Sequence, residues 1–154
     1  MGFHLAKSDV QKLMASGATL GPSVQLPREE KKAAHKPGNI YRMTIPNWKP
    51  PTLNVLMRGK IKTRIALGKA TKAIVAGYAL KEEVPKAGGR RRVNVFVVLE
   101  GRQREADTDA YWKGLLDALV SCGLLLGDKS AHVQLGEVMH ERGKSGTVIV
   151  LEDL

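Results

Sequence analysis

The sequence is poor in the residues that form disulfide frameworks and zinc sites. Cysteine occurs once in 154 residues, at Cys122, which excludes an internal disulfide and a cysteine-based zinc site, because each needs at least two thiols. Cys122 follows an apolar run, which predicts a core position. The histidines are scattered, and His140-Glu141 lacks the second histidine of the H-E-x-x-H zinc motif. We therefore expect surface or structural histidines.

Long hydrophobic runs are also missing. No stretch approaches the roughly 20 apolar residues that a membrane helix needs. The first residues lack the basic start, apolar run and cleavage site of a secretory signal, so a cytoplasmic protein is expected. A nucleotide-binding loop is not predicted either, because Gly68-Lys69-Ala70-Thr71 would need glycine at position 63 and Ser or Thr at position 70.

Acidic residues are scarce over the first two thirds of the chain. Residues 1–100 carry 19 Lys and Arg against 6 Asp and Glu, whereas residues 101–154 carry 6 against 9. The net charge of +10 indicates an anionic partner, because clustered cations release counterions when they bind phosphates. Ribosomal and membrane-surface proteins share such basicity. A basic body with a carboxylate-rich segment nevertheless suits a protein that holds both a polyanion and a divalent cation.

The chain is expected to consist of an extension, residues 1–38, and one folded domain, residues 39–154. Helical spacing over 3–16 predicts a short helix, and the proline-rich, charged stretch 18–38 predicts a linker. A composition of 43% hydrophobic and 26% charged residues is that of a globular protein.

Within the domain, the hydrophobic pattern predicts an α/β fold of the α+β type, a small mixed sheet packed with helices. Expected strands are 39–45, a central strand over 93–99 buried on both faces, and a hairpin of 132–142 with 147–152. A basic amphipathic helix is expected over 61–78, with a point of interruption at Gly68, and a second helix over 108–123. The paired prolines predict a loop over 50–54.

The most chemically reactive set of residues follows the central strand. Asp107 and Asp109 come first, Lys113 lies one helical turn later, and Asp128 follows the helix. Mg²⁺ prefers hard oxygen ligands and keeps positions for water and phosphate. Clustered carboxylates repel one another unless a cation neutralises them. The spacing therefore predicts either a metal site or three independent solvated acids, because aspartate is also favoured at helix N-termini.

This arrangement resembles the RusA family of Holliday junction resolvases, which are crossover junction endodeoxyribonucleases. The resemblance covers about residues 40–151. It is carried by Asp107-x-Asp109-x-x-x-Lys113, Leu119-x-x-x-Gly123, Asp128 and the loop Pro50-Pro51-Thr52-x-Asn54. Ala110 stands where the family often has Asn, and Gly127-Asp128 where it often has two aspartates. Neither departure removes a core ligand.

The resemblance implies a RusA-like homodimer that binds four-way DNA junctions and, with Mg²⁺ or Mn²⁺, makes paired nicks in opposing strands. It implies that Asp107, Asp109 and Asp128 ligate the metal and that Lys113 stabilises the attacked phosphate. Such a protein would be nucleoid-associated in the cytoplasm. Lys113 has an alternative role as a weak helix-surface partner of an aspartate four residues away. Asp117 is not expected to be a ligand, because helix geometry puts it roughly 12 Å from Asp109.

Cationic side chains near this centre are candidates for DNA contact, although they can also form solvated faces. Together with one asparagine, the candidates are Asn54, Arg58, Lys60, Lys62, Arg64, Lys69, Lys72, Arg90, Arg91 and Arg92. Trp48 is a candidate for stacking on a base, whereas Trp112 lies in an apolar stripe and is expected in the core.

Two other functions fit the same sequence. A non-catalytic nucleic-acid-binding module would use the basic helix without any metal. A nuclease for flaps or forks would use the same centre on other branched DNA. Metal dependence separates the first alternative from a resolvase, and competition between DNA structures separates the second.

Overall fold

The computed structural model describes residues 36–154. The helix predicted over 3–16 and most of the linker predicted over 18–38 lie outside these residues, so the extension and its boundary stay predictions. The described part begins at a turn in which Gly38 has a φ of 86°. The amide of Gly38 donates to the carbonyl of Asp153 at 2.7 Å, which joins the start of the described chain to its last strand.

A four-stranded mixed sheet forms the centre of the described chain. Its strands are β1 (Ile40–Pro46), β2 (Arg91–Leu99), β3 (Val133–Arg142) and β4 (Gly146–Asp153), in the order β1-β4-β2-β3. β4 is antiparallel to both of its neighbours, whereas β2 and β3 are parallel. The predicted mixed sheet of an α+β fold is therefore confirmed.

The last two strands do not form the predicted hairpin. β2 lies between them, and Val97 is paired with His140 of β3 on one side and with Thr147 of β4 on the other. The connection crosses the end of β2, where the amide of Gly143 donates to the carbonyl of Leu99 at 3.0 Å. The glycine-rich link favours a tight reversal, but a strand as apolar as β2 is stabilised more by neighbours on both edges.

β2 occupies the central position that its sequence predicts, but its two faces differ. Val93, Val95 and Val97 have no exposed surface. Phe96 and Val98, on the opposite face, are only half-buried. The prediction of burial on both faces is therefore wrong in degree, because the described helices pack on the Val93 face alone, where the core cluster lies.

In residues 36–154, three helices accompany the sheet: α1 (Leu53–Arg58), α2 (Ile61–Lys81) and α3 (Trp112–Ser121), with a 3₁₀ turn over Thr108–Tyr111 leading into α3. The predicted helix over 108–123 is thus confirmed, and Gly123, with a φ of 74°, follows its end. The loop predicted over 50–54 is shorter than expected, because α1 begins at Leu53, just after the paired prolines. α2 continues through Gly68, since one glycine costs a long helix only about 1 kcal/mol.

α2 is basic, but its predicted apolar face meets the core over only half of its length. The buried residues are Thr71, Val75 and Ala79. Ile61 and Ile65 are 71% and 54% exposed, so the N-terminal half presents apolar and cationic side chains together. The fully amphipathic helix is therefore a wrong prediction.

The core lies between one face of the sheet and the helices. Its buried members include Met43 and Ile149 from the sheet and Leu115 and Leu119 from α3. Trp112 and Cys122 are half-buried against this cluster, which agrees in part with their predicted core positions. Over residues 36–154, no helix is long and apolar enough to cross a membrane.

Candidate metal and nucleic-acid site

Asp107 and Asp109 flank the start of the 3₁₀ turn that precedes α3. The carbonyl of Asp107 accepts a hydrogen bond from the Ala110 amide at 3.0 Å, which closes the turn. The Asp107 carboxylate makes no capping hydrogen bond, although the residue stands at the cap position. Both aspartate side chains are exposed. Helix capping therefore does not explain why an aspartate stands at position 107.

Buried contacts hold this turn against the sheet. The Tyr111 side chain is fully buried, and its hydroxyl shares a hydrogen bond with Nε2 of His140 on β3 at 3.2 Å. Burial raises the pKa of Tyr111, with a smaller upward contribution from the Glu105 carboxylate, against an opposing hydrogen bond to the Ala106 backbone. His140 is thus a structural histidine, as expected. Tyr111 therefore anchors the turn two residues after Asp109.

Asp107 and Asp109 share a cavity of about 460 Å³ with Asn54. α1 supplies Leu53 and Asn54 to this cavity, and the 3₁₀ turn supplies the aspartates. The helix that begins just after the prolines therefore places Asn54 in the same cavity as the two aspartates. Carboxylate and amide oxygens are hard ligands of the kind that Mg²⁺ and Mn²⁺ accept. The donor set fits a divalent cation that keeps open positions for water and phosphate.

Asp128 lies in a neighbouring groove rather than beside the other two aspartates. This groove, of about 480 Å³, is lined by Lys113, Asp117 and Asp128 among others, and Leu53 borders both the groove and the aspartate cavity. Within residues 36–154, no group of three His, Cys, Asp or Glu side chains is placed to hold a metal ion. The expected convergence of three aspartates is therefore not present in this conformation, because Asp128 enters from a separate loop.

The loop of Asp128 is shaped by close packing between Gly127 and His132. A Cβ at position 127 would lie 2.8 Å from Cδ2 of His132. The amide of His132 donates to the carbonyl of Lys129 at 2.8 Å, which closes the loop. A second aspartate at 127 would require the His132 imidazole to move.

One edge of α3 directs two charged side chains into the groove. Lys113 and Asp117 are exposed and one helical turn apart, and both line it. Lys113 forms no ion pair with Asp109 or Asp117 in the described part of the chain. Asp117, which helix geometry excludes as a ligand beside Asp109, lies in the groove with Asp128. The four-residue spacing from Asp109 through Lys113 to Asp117 was the signal for this shared edge.

The groove also has a cationic side and an apolar wall. Arg64 and Lys72 of α2 join Lys113 in lining it. Leu56 and Met57 of α1 and Val120 of α3 supply the apolar wall. The other exposed candidates for DNA contact lie outside the lining of the groove: Arg58, Lys60, Lys62, Lys69 and Arg90.

Arg91 does not belong among the DNA contacts. It is 1% exposed, its Nε donates to Oδ1 of Asp153 at 2.6 Å, and its Nη1 donates to two backbone carbonyls at 3.0 Å. Reaching a phosphate would leave the Asp153 carboxylate buried without this partner. Alternation along β2 turns Arg91 inward with Val93 and Arg92 outward, where Arg92 pairs with Glu152 at 2.9 Å.

Trp48 is half-buried against the core and borders a separate cavity of about 440 Å³. Its carbonyl accepts a hydrogen bond from the Thr147 hydroxyl at 2.7 Å, which fixes the backbone beside the prolines. Stacking of Trp48 on a base stays a prediction.

Comparison with known proteins gives no matching family model and no matching curated protein. The functional interpretation therefore depends on the residues and the geometry described above.

Proposed function

We propose that this protein is a metal-dependent endonuclease that resolves four-way DNA junctions, in the manner of the RusA family that its motifs resemble. The observation that carries the proposal is the cavity shared by Asp107, Asp109 and Asn54, directly beside a groove lined by Lys113 and Asp128. Hard oxygen ligands for a metal ion, next to the cationic side chain of Lys113, suit phosphodiester hydrolysis.

Each charged residue has a distinct task in this reaction. Asp107 and Asp109 would bind the divalent cation, and Asp128, which lines the neighbouring groove, would join the ligand set only if its loop moves toward them. The bound metal supplies Lewis acidity and lowers the pKa of water. Lys113 donates to the scissile phosphate and stabilises the charge that grows on its oxygens in the transition state.

Exposed cations around the two cavities provide the DNA contacts. Arg64 and Lys72 face the groove, and the exposed N-terminal half of α2 extends this positive surface. Contacts of this type bind phosphates without reading sequence, which suits a substrate recognised by its shape. A DNA-bound protein of this kind acts at the nucleoid in the cytoplasm.

The face of the sheet opposite the core is the proposed surface for dimerisation. Pairing across β4, β2 and β3 aligns Val148, Phe96 and Met139 in one apolar row. Phe96 is half-buried and Met139 is 39% exposed, whereas Val148 is buried, and all three lie outside the core cluster that the described helices cover. A second copy on this face would give a symmetric dimer with two equivalent centres, as paired nicks in opposing strands require.

The decisive experiment compares a labelled four-way junction with a linear duplex of the same sequence, with Mg²⁺, with Mn²⁺ and with chelator. The wild type should nick the junction in opposing strands only with metal, and Asp109→Asn should abolish nicking without preventing binding. Lys113→Met should lower the rate about 100-fold or more. Lys144→Met, which removes an exposed charge away from the groove and from α2, is the matched control and should change the rate little.

The alternative functions give different results in the same assay. Binding that needs no metal, without cutting under any condition, would support a non-catalytic module. Faster cleavage of flaps or forks than of four-way junctions would keep the nuclease and change its substrate. A Phe96→Glu protein that sediments as a monomer and nicks only one strand would support the proposed dimer surface.

A further inference from the structure

The groove beside the aspartate cavity has an apolar wall that metal binding and phosphate contact do not explain. Leu56 and Met57 from α1 and Val120 from α3 all line it. Met57 is 61% exposed and Leu56 and Val120 are half-buried, so this wall is partly open to solvent. A surface that only follows a phosphate backbone needs cations and gains nothing from exposed apolar side chains. The wall therefore favours a ligand that has an apolar surface of its own.

The charges of the groove indicate that the same ligand is anionic. Arg64 and Lys72 lie on the α2 side, and Lys113 lies on the α3 side. Nε of Arg64 donates to the carbonyl of Gly59 at 3.0 Å, which orients the guanidinium while leaving its terminal nitrogens for a ligand. A volume of about 480 Å³ lies within the range of small-ligand sites. A ring attached to a phosphate fits the apolar wall, the cationic side chains and the volume of the groove.

We infer that the groove receives one unstacked nucleotide from the junction, next to the phosphate that is cut. This inference rests on the proposed function. The base lies against Leu56, Met57 and Val120, and its phosphate faces Arg64 and Lys72. Unstacking costs least where base pairing is already interrupted, as at a branch point. The subsite therefore favours branched DNA over an intact duplex.

Asp117 determines which base this subsite prefers. Its exposed carboxylate lines the groove one turn beyond Lys113 and forms no ion pair within the described residues. A carboxylate only accepts hydrogen bonds, so it favours a base whose edge presents N–H donors. Guanine offers two adjacent donors that match the two carboxylate oxygens, whereas thymine offers one N–H between two carbonyls. Guanine is therefore the preferred base.

Cleavage rates on four junctions that differ only in the nucleotide beside the cut test this preference. The wild type should prefer guanine over thymine about tenfold or more. Asp117→Asn, which replaces one acceptor by a donor, should reduce this ratio toward one. Glu137→Gln on β3 removes the same charge outside the groove and should keep the ratio. An unchanged ratio in Asp117→Asn would overturn the role of Asp117 in base selection.

A second measurement does not depend on cleavage. The Asp109→Asn protein is bound to a junction that carries 2-aminopurine at the branch point, whose fluorescence increases when the base leaves the stack. Gly68→Leu places a side chain in the groove, where a Cβ at position 68 meets nothing within 4 Å. Gly77→Leu adds the same side chain in open space on α2, away from the groove. Only Gly68→Leu should suppress the fluorescence increase.

The two measurements separate failure of the subsite from failure of the nuclease. Metal-dependent nicking with no fluorescence increase, or with equal signals from both glycine variants, would overturn the subsite and leave the nuclease in place. A fluorescence increase blocked by Gly68→Leu, without nicking under any metal condition, would keep the subsite and overturn the nuclease. Absence of DNA binding would overturn both.

Discussion

Nε of Arg91 lies 2.6 Å from Oδ1 of Asp153, and these side chains are 1% and 3% exposed. The pair joins the first residue of β2 to the last residue of β4, which are directly opposite in the sheet. The Tyr41 hydroxyl donates to Oδ2 of the same carboxylate at 3.2 Å. Nη1 of Arg91 also binds the carbonyl of Leu124, at the start of the loop that carries Asp128. A buried ion pair therefore connects the sheet to the candidate site.

The two neighbouring arginines of β2 should differ sharply in their effect on stability. Arg91→Ala leaves the Asp153 carboxylate buried without this partner and should lower the free energy of unfolding by about 3 to 5 kcal/mol. Arg92→Ala removes a partly exposed pair with Glu152 and should cost less than about 1 kcal/mol. Urea unfolding of both variants checks this difference. Similar losses in the two variants would contradict the structural role of Arg91.

Two glycines should respond in opposite directions to substitution by alanine. A Cβ at Gly136 would overlap the Asn94 side-chain oxygen and lie 2.8 Å from the Val93 carbonyl oxygen, at a register shift between β2 and β3. Gly136→Ala should therefore destabilise the fold by about 1 to 3 kcal/mol. Gly77→Ala, in open space within α2, should stabilise it by about 0.5 to 1 kcal/mol. Thermal unfolding of both variants shows whether each substitution lowers or raises the stability of the fold.

Metal binding should stabilise the folded chain through the aspartate cavity. At a Mg²⁺ or Mn²⁺ concentration about 100-fold above the dissociation constant, the free energy of unfolding should rise by about 2.7 kcal/mol. Asp107→Asn and Asp109→Asn should abolish this increase, whereas Asp117→Asn should not. The same titration of Asp128→Asn decides whether this carboxylate is a third ligand. Equal stabilisation of all four variants would contradict a metal site in this cavity.

Cys122 should react slowly with alkylating agents near neutral pH. Burial raises the pKa of its thiol, against a smaller opposing influence of the Lys72 charge. The thiolate is the reactive form, so the alkylation rate of Cys122 should level off at a higher pH than that of a free cysteine. Lys72→Met should raise the pKa further and slow the reaction at a given pH. The rate of iodoacetamide labelling is measured against pH for the wild type, for Lys72→Met and for Lys69→Met as control. Only Lys72→Met should label more slowly than the wild type.

Local patterns predicted the elements of the fold better than their arrangement. The alternating valines of β2 predicted a central strand, and the apolar stripe with Gly123 predicted α3 and its end. These features depend on period and backbone conformation, which neighbouring residues determine. The order of the strands depends on contacts distant in sequence, so the separation of β3 from β4 by β2 was not predicted.

In the candidate site, too, local spacing was predicted better than the arrangement of segments distant in sequence. The spacing of Asp107, Asp109 and Lys113 indicated a metal and phosphate site, and the structure brings Asn54 to the two aspartates. A run of three arginines predicts a basic surface, and this prediction is wrong for Arg91, which strand alternation turns inward. Asp117 was set aside because its distance from Asp109 argues against a shared metal and says nothing about a second cavity.

The sequence by itself determined the basic charge of the chain, the α+β class and the positions of the acids along it, because composition and periodicity are properties of neighbouring residues. Only the tertiary structure decided that Arg91 is a buried partner of Asp153, that half of α2 is uncovered, and that Asp128 lies with Asp117 in a separate groove. These features follow from the packing of segments distant in the chain, which decides what is buried and which charges meet.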